Sequence, residues 1–287
     1  MPVGKLALAA KITHVPSMYI SEQPGRFHGC REQAIEGHRI IGQRCRSLGV
    51  DTIVVLDVHW LVNAGYHVNC NSFFQGVYSS NELPHFIKDM AYDYPGNPAL
   101  GRLIALHAGQ KGIKTRAHEI ASLNLEYGTL VPMRYMNSDQ HFKVVSIAAW
   151  CAWHPLERSR HFGEALLESI KASDSTVAVL ASGSLSHRFS DDGCPEDSMF
   201  EISDEFFRQV DLRVVELWKQ GDFRTFTKML PEYAVRCVGE GGMHDTAMLL
   251  GLLGWDRYER PIEVITPYFA SSGTGQINAI FPLPSYL

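Results

Sequence analysis

The sequence predicts an α/β fold: a single domain over residues 1–287, with a central, largely parallel or mixed sheet flanked by helices. Its active site is expected at the carboxyl edge of the strands. Three observations predict this. Short apolar runs that lack polar alternation read as strands buried on both faces. Helical patterns lie between them, and that alternation marks a sheet covered by helices. No repeat, low-complexity tract or linker divides the chain.

In chain order the strands are Leu6–Ile12, Thr52–Val58, Lys143–Ala149, Thr176–Ser182 and Glu263–Thr266, all expected to be parallel. The first helix, Glu32–Leu48, carries apolar residues at Ala34, Ile35, Ile41, Cys45 and Leu48, and Gly49 supplies a stop. Pro98–Gly112, Pro155–Ala172, Met199–Gln220 and Met243–Gly254 follow. The stretch Asn63–Asn97, rich in Asn, Ser, Tyr and Pro, is the longest irregular segment, with room for short extra strands. Near the C-terminus, Ser271-Ser272-Gly273-Thr274-Gly275-Gln276 lacks the helix and acidic residue of a dinucleotide fingerprint and reads as a structural turn near the site.

Composition narrows the class. Hydrophobic residues make up 45% and charged residues 20%, with mean hydropathy -0.09, as in an ordinary globular protein. A net charge of -5 with no Lys/Arg-rich run leaves no nucleic-acid footprint. The apolar run between Lys5 and Lys11 is too short for a signal segment, and no longer run spans a membrane without a charge. The cysteines, Cys30, Cys45, Cys70, Cys151, Cys194 and Cys237, form no C-x-x-C pair, which favours free thiols in a reducing cytoplasm.

Ligands of open α/β sheets bind beyond the carboxyl ends of the strands. Three strands deliver a histidine there: His14 in Thr13-His14-Val15-Pro16-Ser17, His59 in His59-Trp60, and His187 in Gly183-Ser184-Leu185-Ser186-His187. One such histidine is commonly structural; three on one edge point to a shared site. An acidic partner is available in Glu240, within Cys237-Val238-Gly239-Glu240-Gly241-Gly242-Met243-His244-Asp245. Its glycines can aim Glu240 inward; the alternative is a solvated loop carboxylate, with Asp245 favouring the helix N-terminus. Two imidazoles and a carboxylate leave three positions open on an octahedral metal, as in non-haem iron(II) oxygenases. Zinc hydrolases use similar ligands. Ser182, Ser184 and Ser186 beside His187 also admit a hydrolase, although the second glycine of a nucleophile elbow is missing. A binding protein without catalysis is the remaining alternative.

Several segments together resemble the class III extradiol ring-cleavage dioxygenases, the superfamily of the protocatechuate 4,5-dioxygenase catalytic subunit. They are Thr13-His14-Val15-Pro16 after its strand, Asp57-Val58-His59-Trp60, Glu126-Tyr127-Gly128-Thr129, Ala181-Ser182-Gly183-Ser184-Leu185-Ser186-His187, and Glu240 before its helix. The resemblance implies metal ligands at His14, His59 and Glu240, and a catalytic acid–base at His187. It implies iron(II), with manganese(II) also suited to these ligands, and a catechol and dioxygen as substrates. It further implies a cytoplasmic homo-oligomer with no nucleic-acid or membrane partner. The stretches 81–90, 119–136 and 269–284 are similar to members whose catechol carries an acetate group; another catechol or an aminophenol is the alternative. His118 reads equally as a substrate contact or a surface residue, and Tyr127 as a substrate contact or a core tyrosine. Tyr127 stands where other members have histidine. His244 and Asp245 are rival ligands, and Arg134 and Arg188 are candidates for meeting the acetate group.

Overall fold

The computed structural model describes residues 4–190 and 198–287; Cys194 lies outside them. Four strands form the parallel centre: Lys5–Ile12 (β1), Thr52–Val62 (β2), Lys143–Cys151 (β7) and Thr176–Ser182 (β8). Their side chains alternate between two buried layers. Val54 and Leu56 join one apolar cluster, while Ile53 and Val55 join the other. With both faces covered, most positions are apolar, which is why these runs carry no alternation.

The sheet has eight strands in the order β6-β3-β7-β2-β8-β1-β10-β9. The added members are Tyr66–Asn69 (β3), Thr115–His118 (β6), Glu263–Ser271 (β9) and Thr274–Ile280 (β10). Phe73–Tyr78 (β4) and Met90–Pro95 (β5) pair separately. The sheet is thus mixed. β9 corrects the expectation of a fifth parallel strand: it runs antiparallel to β10, which runs antiparallel to β1. Only Ser272-Gly273 separates β9 from β10, far too short a link for a parallel crossover.

The helices are Ser17–Glu22 (α1), Glu32–Ser47 (α2), Pro98–Gln110 (α3), Tyr127–Met136 (α4), Leu156–Ala172 (α5), Glu205–Gln220 (α6), Phe223–Arg236 (α7) and His244–Leu253 (α8). The helix expected from Met199 begins six residues later. Asp204 caps it by accepting from the Phe206 amide at 2.9 Å, and Ser203 donates instead to the Gly273 carbonyl of the β9–β10 turn. α8 is buried on every side, as a helix apolar all round must be. It packs on α5 through two glycines. A Cβ at Gly163 would collide with the Met248 carbonyl, and one at Gly251 with the Arg160 carbonyl. That close approach fixes α8 against the sheet, directly after the turn that carries Glu240. No helix among the described residues is long and apolar enough to cross a membrane.

Candidate metal centre

His14 follows β1 by two residues. His59 lies inside β2, where register against β7 breaks: Asp57 opposes Ala148, yet Leu61 opposes Trp150. The extra residues form a bulge, a device that re-aims side chains. Asp57 stabilises it by accepting from the His59 amide (2.9 Å) and the Thr129 hydroxyl (2.6 Å). Glu240 opens a single 3-10 turn between α7 and α8. Gly241 and Gly242 adopt φ of 55° and 65° there, a region that side chains disfavour and glycine accepts. Glu240 is thereby turned inward and left 3% exposed, so its solvated-loop reading is set aside.

These residues converge. Glu240 Oε1 lies 3.3 Å from His14 Nε2 and 3.5 Å from His59 Nε2, and one donor atom from each residue falls within 4.8 Å of the others. Ligands held about 2.1 Å from an octahedral metal, at right angles to one another, lie about 3 Å apart, so the two imidazole-to-carboxylate separations are close to what an ion needs. The hydrogen bonds behind His14 sharpen this. The Ser182 hydroxyl donates to the Gly128 carbonyl at 2.6 Å and lies 3.0 Å from His14 Nδ1. A hydroxyl has one proton, so Nδ1–H must donate to Ser182, and Nε2 is the ring nitrogen left to face Glu240. Oε1 is buried and makes no hydrogen bond. A buried carboxylate oxygen without a hydrogen-bond donor, facing two imidazole nitrogens, is satisfied by positive charge, from a proton on a ring or from a metal ion between them. The donor set therefore fits a metal.

Glu240 Oε2 is already occupied, accepting the Ser184 amide. Burial opposes ionisation of Glu240, but the imidazoles of His187, His14 and His59 outweigh it and hold the carboxyl well below its ordinary range. His187 meets the other side of the carboxylate, its Nδ1 3.8 Å from Oε2 and 3.3 Å from the Ser184 hydroxyl. Ser184 in turn accepts from Gln276 at 2.6 Å. Burial pushes the His187 imidazole below its ordinary value, against the pull of Glu240. Tyr127 tilts over His59 with ring centres 3.7 Å apart. Burial, and then the charge of Glu240, raise its hydroxyl far above the ordinary value, so it stays a phenol.

His14, His59, Tyr127 and His187 line one pocket. Val15, Leu83, Phe86 and Phe189 form its apolar walls, and Ser17, Ser271, Ser272 and Thr274 a polar one. The glycine-rich tail is the β9–β10 turn and lies beside the site. His118 is elsewhere: it stacks on His67 with ring centres 5.1 Å apart and lines a groove with Trp60 and Leu123. The rival ligands are engaged as well, Asp245 with Lys11 and His244 with the Ser159 hydroxyl at 2.7 Å. Neither arginine candidate lines the pocket. Arg134 grips Glu22 at 2.7–2.9 Å, and Arg188 lies over the Phe207 ring. The serines read for a hydrolase are tied up too, Ser182 as above and Ser186 by donating to Asp211 at 2.7 Å.

Sequence reasoning missed Asp57 as the clamp of the bulge and Ser182 as the partner of His14. Both lay inside quoted motifs, but neither residue type advertises such a role. Ser182→Ala should leave the fold intact and weaken metal binding roughly 10- to 100-fold, as loss of an outer-shell partner does. Chelator competition measures it; unchanged affinity would remove Ser182 from the argument.

The chain is 60% identical over 270 residues to 3,4-dihydroxyphenylacetate 2,3-dioxygenase of Escherichia coli, covering 94% of this chain and 98% of that one. It is 24% identical over 255 residues to the 2-aminophenol 1,6-dioxygenase beta subunit of a Pseudomonas species, covering 84% and 83%. The fold matches an uncharacterized protein from Escherichia coli K12 with TM-score 0.63 at 15% identity, over 96% of this chain and all of that one. Residues 8–282 match the catalytic LigB subunit of aromatic ring-opening dioxygenase. The chain belongs to that family, the class III extradiol dioxygenases that its motifs resemble.

Proposed function

We propose that this chain works as one catalytic domain over residues 1–287 that opens 3,4-dihydroxyphenylacetate with dioxygen, giving 5-carboxymethyl-2-hydroxymuconate semialdehyde. His14, His59 and Glu240 hold iron(II), and His187 is the acid–base. One observation carries the reading: a bare Glu240 oxygen faces two imidazoles while His187 opens onto the same pocket. The E. coli relative supplies the substrate. When bound, the iron provides charge and open coordination positions at which diol and dioxygen are held side by side and exchange electrons.

The chain's own residues do the rest. Val15, Leu83, Phe86 and Phe189 bed the aromatic ring and exclude water. Tyr127 keeps the His59 ring in place. His187 takes a proton from a diol hydroxyl and returns it when the ring opens, its lowered pKa favouring the neutral ring that can accept it. Ser184 holds one of its ring nitrogens, leaving the other for the substrate. A homo-oligomeric state and a cytoplasmic setting belong to the same proposal.

The test is anaerobic loading with iron(II), then air with 3,4-dihydroxyphenylacetate, protocatechuate or 2-aminophenol. The expected result is oxygen uptake and a yellow semialdehyde, with kcat/KM at least about 10-fold higher for the first compound. No uptake with any of them would sink the reading.

A further inference from the structure

Arg31 precedes α2 and is 6% exposed. Its guanidinium carbon lies 4.8 Å from the Phe200 ring centre and 5.2 Å from that of Phe269. Nε donates to the Ser17 hydroxyl at 2.9 Å, and one terminal nitrogen to the Ser271 hydroxyl at 3.0 Å. The remaining bonds go to the carbonyls of Met199 (2.5 Å) and Ala270 (3.2 Å). All four acceptors are neutral, and no carboxylate among the described residues pairs with Arg31. Desolvation pushes its pKa down to about 10. A guanidinium held out of water without an anion is costly, and the aromatic faces offset only part of that.

Ser17 and Ser271 both line the pocket that contains His14, His59 and His187. Each hydroxyl accepts from Arg31, which leaves its own proton to donate. The two oxygens lie 3.4 Å apart, so at most one proton is taken up between them. Among the described residues no lysine or arginine lines the pocket, whose one acidic side chain besides the metal centre is Glu82. A counter-charge for a bound anion therefore comes from behind the wall.

We propose that Arg31, acting through the hydroxyls of Ser17 and Ser271, makes this serine wall the anchor for a carboxylate on the substrate's side chain. The inference rests on the ring-cleavage reading and assigns the part of the substrate that the metal does not hold. Arg31 is a positioning residue: it polarises the two donors that touch the ligand.

Arg31→Met and Ser271→Ala separate this from a structural role. Iron-loaded proteins are compared on 3,4-dihydroxyphenylacetate and on 4-methylcatechol, which lacks the carboxylate. In parallel, calorimetry without oxygen compares 4-hydroxyphenylacetate with 4-methylphenol. Arg31→Met should raise KM for the acid about 30-fold and Ser271→Ala about 10-fold, in line with hydrogen bonds to charged groups. Values for 4-methylcatechol should stay within about 3-fold. Ser271→Ala carries the test if the arginine variant does not fold. Parallel losses on both catechols, or no loss on either, overturn the anchor. Wild-type protein that opens both catechols without preference overturns the anchor and leaves the ring-cleavage reading standing. Wild-type protein that opens neither, yet binds 4-hydroxyphenylacetate at least tenfold more tightly than 4-methylphenol, overturns the reaction and supports the anchor.

Discussion

Replacing Glu240 with alanine is expected to release the metal and to lower ring opening by at least about 1000-fold, beyond the roughly 10- to 100-fold typical of outer-shell partners. The reason lies in how the two carboxylate oxygens are divided. Oε2 accepts the Ser184 amide, while Oε1 is left to the two imidazoles. Alanine removes the only negative charge in the donor set. Glutamine is the sharper variant, because it can still accept from Ser184 and keep the 3-10 turn, yet it offers no charge. Both should purify folded with little iron after dialysis against iron(II), measured by elemental analysis beside an oxygen electrode. A glutamine variant that retained one iron per chain would show that Glu240 is not a ligand.

His187→Ala should do the opposite to the metal. Its Nδ1 lies 3.8 Å from Oε2, the oxygen already engaged by Ser184, whereas His14 and His59 face Oε1. Full iron content is therefore expected, with kcat lowered roughly 100- to 10000-fold, the range for loss of a general acid–base. KM for the diol should move little, since the metal and the apolar walls that bind it remain. Iron lost in proportion to activity would place His187 among the ligands instead.

Much of this arrangement was legible in the sequence because it follows from two simple constraints. Strands covered on both faces are largely apolar, so the bounds of Thr176–Ser182 are legible in the sequence, and so is the placing of His14, His59 and His187 on one edge. The elements that escaped have physical reasons. Tyr127–Met136 and Phe223–Arg236 contain Pro132 and Pro231, which normally mark the end of a helix. Thr274–Ile280 is fully buried yet includes Gln276 and Asn278. Gln276 donates to Ser184, and Asn278 accepts from the Thr13 amide at 2.9 Å and donates to Thr266 at 2.8 Å. A strand whose polar side chains hold the site in place shows no apolar run. Arg31 gave no signal at all, since nothing near it in sequence marks it as buried. Its serine partners come from Thr13–Ser17 and the distant turn at Ser271.

The order of strands in the sheet has a consequence for the way the protein is made. β1 precedes the other strands in the chain, yet its neighbours in the sheet are β8 and β10, which lie far along it. His14 must wait for Glu240, and the serine wall for Ser271. An unfinished chain can offer isolated histidines to iron but no completed carboxylate-and-imidazole set. The donor set is thus assembled by contacts distant in sequence, which form late in folding.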